Sequence, residues 1–247
     1  MCELAAYLGP RLILGEVTGL MESGLGRDAY GFGLGWYAPD GSPAVYTRSK
    51  PPAWDTNLPH LERSLESNLW LVHLQLEAAL AVSHQTGPQP YCDDEFIFGH
   101  CGVIEGFRDR LSPLMRQFMA PEVEAGIGST TASEYLFGLL RHLLQDDDEI
   151  SLDQALGQMF ELLDDWLENE VALLNIILSD GETLCAARHA INAGCAPLYF
   201  TTDVDDYPGA QLIASSPLTA SAFWQPIPEH HLLILDPAAP PELAALG

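Results

Sequence analysis

Met1-Cys2-Glu3-Leu4-Ala5-Ala6-Tyr7-Leu8 is the stretch from which the rest of the chain is read. Cysteine is small, so removal of the preceding methionine is expected. Cys2 would then carry a thiol and a free α-amine on one residue. That amine has an ordinary pKa of about 8, so part of it is neutral at pH 7 and able to accept a proton. One residue then supplies both nucleophile and base. The plain alternative is an accidental cysteine in a frayed chain end. Against it, residues 3–8 continue from Cys2 as an apolar run that reads as a buried strand.

Composition narrows the classes. The chain has 247 residues, 47% of them hydrophobic, enough for a sizeable core. No run approaches the roughly 20 apolar residues of a membrane span, and no basic-then-apolar leader is visible. Acidic residues outnumber basic ones 35 to 10, for a formal net charge of -25. Such a surface repels nucleic acid and anionic membranes. Five scattered cysteines (Cys2, Cys92, Cys101, Cys185 and Cys195) make no CxxC pair, so reduced thiols in a cytoplasm are expected. The acidic groups at Asp146-Asp147-Asp148-Glu149 and at Asp203, Asp205 and Asp206 lack a calcium loop's spacing and read as solvated turns. His230-His231 reads as a solvated strand edge.

Gly31-Phe32-Gly33-Leu34-Gly35-Trp36-Tyr37 alternates glycine with large apolar residues. That period of two predicts a strand approached closely by another backbone. A turn at residues 39–43 leads into a returning strand at 44–48. Residues 58–67 read as a short helix, 69–74 as a strand and 96–99 as another, followed by His100-Cys101-Gly102-Val103-Ile104. Helices are expected over 133–145, with Ser133 as cap, and over 151–170; both carry apolar stripes at helical spacing. Strands follow at 172–178, 183–188, 198–201, 211–215 and 231–235, with a hairpin turn at Asp180-Gly181. The last two of the 198–215 group are expected to pair. Pro237, Pro240 and Pro241 suggest a loose tail. The expectation is one domain over residues 1–240, with a tail at 241–247.

Taken together, these landmarks resemble the class II glutamine amidotransferases, members of the N-terminal nucleophile hydrolases. The nearest branch removes a γ-glutamyl group in ergothioneine biosynthesis. The resemblance rests on Met1-Cys2-Glu3-Leu4, Tyr30-Gly31-Phe32-Gly33, Trp54-Asp55-Thr56-Asn57, His100-Cys101-Gly102, Ser133-Glu134-Tyr135, Leu178-Ser179-Asp180-Gly181 and Ala214-Ser215-Ser216-Pro217, in family order. It implies an α+β fold: a four-layer αββα sandwich of two antiparallel sheets flanked by helices, with Cys2 at the end of an inner strand. It implies no cofactor and no metal.

The resemblance also implies a catalytic set of Cys2, Cys101 and Gly102. Cys2 and Gly102 match the family, and the resemblance implies a turn at His100-Cys101-Gly102, but Cys101 stands where the family's turn has an oxyanion-binding Asn, and a thiol is a weak donor. Losing one such donor typically costs about a hundred- to a thousandfold in rate. The substrate-binding positions map to Tyr30, Gln75, Ala132 and His73. Gln75 replaces an Arg, Ala132 an Asp, Tyr30 another Asp and Ala78 a Thr. The Arg and Asp would grip the head group of free glutamine, and each lost charge-assisted contact costs on the order of 1.5–3 kcal/mol. Normal glutaminase activity is therefore not expected. The resemblance then implies an amidohydrolase acting on an amide other than free glutamine. The alternative is a pseudoenzyme serving as a binding, regulatory or scaffolding subunit. An amidotransferase passing ammonia to a second subunit needs glutamine, so the same losses count against it. The partner would be a small-molecule amide or a protein. Cys101 beside Cys2 also allows a redox pair, or a metal site with His73, although that set is one ligand short of a usual zinc site.

Overall fold

In the computed structural model, residues 2–24, 29–76, 89–147, 149–202, 204–220 and 223–246 are described. Met1, Asp28, Ala78, Asp148 and Asp203, on which parts of the sequence reading fall, lie outside the described residues. Strand β1 (Cys2–Ile13) is apolar on both faces because both are covered. Leu4, Ala6 and Leu8 point into the space between two sheets, while Ala5, Tyr7 and Leu12 pack on the outside against helix α1 (Leu14–Gly24).

The first sheet has seven antiparallel strands. Besides β1 it contains β2 (Gly31–Tyr37), β3 (Pro43–Arg48), β4 (Glu66–Gln75), β9 (Tyr199–Thr201), β10 (Gln211–Ala214) and β11 (Gln225–Pro226), in the order β11-β9-β10-β1-β4-β2-β3. The second sheet has six: β5 (Tyr91–Cys92), β6 (Ile97–Ile104), β7 (Ala172–Ser179), β8 (Leu184–Ile191), β12 (His231–Leu235) and β13 (Glu242–Ala245), in the order β13-β12-β8-β7-β6-β5. Helices α1 and α2 (Leu58–Leu61) cover the first sheet. The second is covered by α3 (Ser112–Phe118), α4 (Pro121–Ala125), α5 (Ala132–Asp146) and α6 (Leu152–Leu167). Leu4, Leu71, Ile97, Ile177, Ala186 and Ile213 fill the central layer. The result is the expected αββα sandwich.

Several local expectations change. The helix at 58–67 is a single turn: the Asp55 carboxylate accepts the Asn57 and Leu58 N–H groups, and only Leu58 is buried. The chain enters β4 at Glu66, where the Ser67 hydroxyl donates to the Tyr37 carbonyl. His100-Cys101-Gly102 is not a turn but the middle of β6, paired along its length with Ile176, Asn175 and Leu174 of β7. Thr131, not Ser133, caps α5 by accepting the Glu134 N–H at 3.3 Å. Beyond the prolines, β13 pairs with β12 and closes the edge of the second sheet.

The glycine alternation in β2 is explained by close approach. A side chain at Gly33 would overlap the Gln89 carbonyl, and one at Gly35 would sit 2.9 Å from both Pro90 and Ile97.

Candidate functional site

Cys2 begins β1 and lies in register with Gln75 of β4, which is in turn opposite Gly31 of β2. The amide of Leu4 donates to the Ser215 hydroxyl at 3.0 Å and the Leu4 carbonyl accepts the Ser215 N–H at 2.9 Å, so residues just past β10 hold the start of β1. Alternation along β1 and β4 puts Cys2, Gln75 and His73 on the same inward face as Leu4 and Leu71. On the opposite sheet, Cys101 alternates with inward Ile97 and Gly99 and packs against the central layer.

The two inward cysteines meet. Cys2 and Cys101 form a disulfide with a Cα–Cα separation of 5.7 Å, inside the usual cystine range. This overturns the expectation of reduced thiols throughout. Sheets stacked about 10 Å apart bring inward residues of facing strands into reach, and this contact joins residues 99 apart in the chain. Cys92, Cys185 and Cys195 remain free.

The other predicted positions divide by location. Gln75 is 7% exposed and lies beside Cys2. Tyr30 sits on the rim: its N–H donates to the Gln75 carbonyl at 2.7 Å, while its side chain is exposed. His73 is buried one pair deeper, between Leu4 and Gly33, and its Nε2 finds no partner among the described residues. Ala132, by contrast, packs in the core between the second sheet and its helices. Gly102 is required by space, because a Cβ there would overlap the Leu173 carbonyl oxygen and lie 2.8 Å from His100 Nε2.

His100 points to the helix side. Its Nε2 donates to the Leu173 carbonyl at 3.2 Å, and its Nδ1 accepts from the Ser133 hydroxyl at 2.9 Å, the tautomer that satisfies both contacts. Gln89 completes the bracket: its Nε2 donates to the His100 carbonyl and to Ser133 Oγ, and its Oε1 accepts the His100 N–H at 2.7 Å. Burial pushes the His100 pKa down to about 4, with the Leu173 contact opposing. Burial, then the nearby His100, pushes His73 down to about 3. Both rings are neutral at pH 7 and bring no positive charge.

Sequence reasoning missed Gln89, the contacts of Ser133, and Asn175. The signal for Asn175 was a lone amide inside an apolar strand. It is 2% exposed, pairs with Cys101, and donates from Nδ2 to the Pro197 carbonyl at 3.0 Å; its Oδ1 has no partner among the described residues. Arg188 follows in the same row, one strand further on. Its guanidinium is occupied by the Ala196 and Ile227 carbonyls at 2.8 and 2.7 Å and by Glu229 at 3.3 Å. Arg48, on β3, is held by Asp55 at 2.8 Å and by the Tyr46 hydroxyl. Neither arginine presents a free fork toward Cys2.

A seven- and a six-stranded antiparallel sheet stacked between helices, with a cysteine opening a central strand, define an N-terminal-nucleophile type of sandwich. The profile described as glutamine amidotransferases class-II matches residues 1–192, and the chain belongs to that family. Among solved structures it is similar to a glutamine aminotransferase class-II domain protein from Silicibacter pomeroyi, at 22% identity and a TM-score of 0.73, with 99% of each chain covered. It is similar also to a predicted glutamine amidotransferase from Pseudomonas aeruginosa, at 16% identity and a TM-score of 0.56, covering 98% of this chain and 95% of that one. All of this chain aligns with 49% of the glutamine phosphoribosylpyrophosphate amidotransferase of B. subtilis, at 10% identity and a TM-score of 0.66. These likenesses are of fold. No curated protein matches the sequence.

Proposed function

We propose that this chain is an N-terminal-cysteine amidohydrolase, related in chemistry to the γ-glutamyl hydrolysing branch. Its substrate amide lacks the zwitterionic head group of free glutamine, and it acts only when Cys2 and Cys101 are reduced. The observation that carries this reading is the meeting of Cys2 with the β6 strand. The sulfur faces the backbone from which the family draws its oxyanion donors, at covalent distance. In the reduced state the Cys2 thiolate attacks the amide carbonyl. The α-amine, once Met1 is removed, relays the proton through water to the leaving amine, and a second water hydrolyses the thioester. A disulfide sulfur has no thiolate to offer, so the oxidised form is inert until thiol exchange opens it.

Gln75, uncharged and beside Cys2, and the neutral His73 on the same inward face support an uncharged substrate end. The test is a panel of amides assayed with reduced protein. Turnover of an uncharged amide that vanishes in Cys2→Ala, with glutamine a poor substrate, supports the reading; normal kcat/KM on glutamine contradicts it. The second reading, a binding or regulatory pseudoenzyme, is favoured by the disulfide itself, which ties up the nucleophile. It predicts no Cys2-dependent turnover in either redox state.

A further inference from the structure

On the far side of the second sheet from Cys101, three side chains with metal-ligating atoms converge where the chain re-enters β12, and a histidine of β8 packs against one of them. Cys195, Glu229 and His230 each place one ligand atom within 4.8 Å of the others. His230 Nδ1 lies 3.2 Å from Nδ1 of His189, a β8 residue only 4% exposed. The Cys195 sulfur lies 3.9 and 4.0 Å from the two His230 ring nitrogens. Zinc bond lengths place a sulfur and a nitrogen of a tetrahedral site about 3.6 Å apart. The observed spacings exceed this by a few tenths of an ångström.

We propose that Cys195, Glu229 and His230 form a site for a zinc-type divalent cation, separate from the Cys2 site, with His189 holding the His230 ring through its Nδ1. The donor set of one thiolate, one imidazole and one carboxylate selects a borderline-soft ion over magnesium or calcium. Its two negative charges balance the ion, and the fourth position of the tetrahedron is left to water. His230 has a φ of 56°, a left-handed backbone uncommon for a residue with a Cβ, and this conformation sets the ring against His189 and Cys195. Glu229 also contacts Arg188, but that guanidinium keeps its carbonyl acceptors if the carboxylate turns to a cation.

The ion would fasten a loop that reaches the Cys2 site. Residues 192–198 carry Cys195 and also Pro197, whose carbonyl accepts from Asn175 beside Cys101. The competing account is that the His189–His230 hydrogen bond alone holds this cluster, with no ion bound.

Cobalt(II) is a spectroscopic substitute for zinc. Titrated into the reduced full-length chain, it should bind one equivalent with tetrahedral ligand-field absorption and a sulfur-to-cobalt charge-transfer band. Cys195→Ser should abolish that band and His230→Ala should weaken binding at least tenfold. The Cys2→Ala, Cys101→Ala double variant should keep both band and stoichiometry. Zinc should raise the Tm of the wild type but not of Cys195→Ser. A band that survives Cys195→Ser, a band lost in the double variant, or no saturable binding would each overturn the proposal. None of these outcomes touches the amidohydrolase reading, because the readouts do not involve turnover.

Discussion

At the scale of the residue, Cys101 decides the most. The β6 register aims its thiol at Cys2, and the two close a disulfide. Cys101→Ser should therefore leave Cys2 free under oxidising conditions that close the wild type, as read by alkylation and intact mass. Finding Cys2 still blocked in that variant would mean that another group caps it. Gly102 gives a second test. Because a Cβ would overlap the Leu173 carbonyl, Gly102→Ala should cost at least about 3 kcal/mol in urea unfolding, the upper end of overpacking penalties. A loss under 1 kcal/mol, roughly, would show that β6 and β7 can part without penalty. The same crowding explains the glycine without any catalytic role, so its presence does not argue for activity.

At the scale of the element, β6 and α5 are held by the Gln89–His100–Ser133 bracket rather than by apolar contact alone. In the unfolded chain His100 takes up a proton near its ordinary pKa of about 6.5, whereas in the folded protein it does so only near 4. Below about pH 6.5 the unfolded state therefore binds the extra proton, and stability falls as pH falls toward 4. The wild type should lose about 1.4 kcal/mol more per pH unit across this window than His100→Asn does. Equal slopes in urea titrations would mean that His100 is not buried neutral.

Elements with their own periodicity were legible in the sequence. The glycine alternation of β2 announced a close backbone, and the apolar stripes of α5 and α6 fixed both helices to within a few residues. Helix α1 went unread, since Gly15, Thr18 and Gly19 dilute its helical signal. The turn that the resemblance implied at His100-Cys101-Gly102 is instead continuous strand, because these residues pair along β7, which the sequence alone does not show. Cys2 stood out as the candidate nucleophile from its position alone. Its pairing with Cys101 was allowed only through the resemblance, because two strands of different sheets have to meet across 99 residues of chain.

At the scale of the whole molecule, the formal charge of -25 is the dominant long-range term. Like charges on a compact body repel, and added salt screens them over about 10 Å at 0.1 M. Raising sodium chloride from low ionic strength should raise the Tm; a flat or falling Tm would show that local ion pairs such as Arg48–Asp55 outweigh the net repulsion. The same field draws cations and disfavours anionic substrates, in keeping with a Cys2 site whose inward histidine, His73, is neutral and near which Arg48 and Arg188 are already engaged.

The most direct test is residue-resolved labelling with an uncharged chloroacetamide probe, followed by mass spectrometry before and after reduction. Before reduction Cys2 should carry no adduct. Afterwards it should label faster than Cys92, Cys185 or Cys195, and Cys2→Ala should remove that fast phase alone. A Cys2 that labels equally in both states, or that stays slower than the other thiols once reduced, would contradict a redox-closed nucleophile.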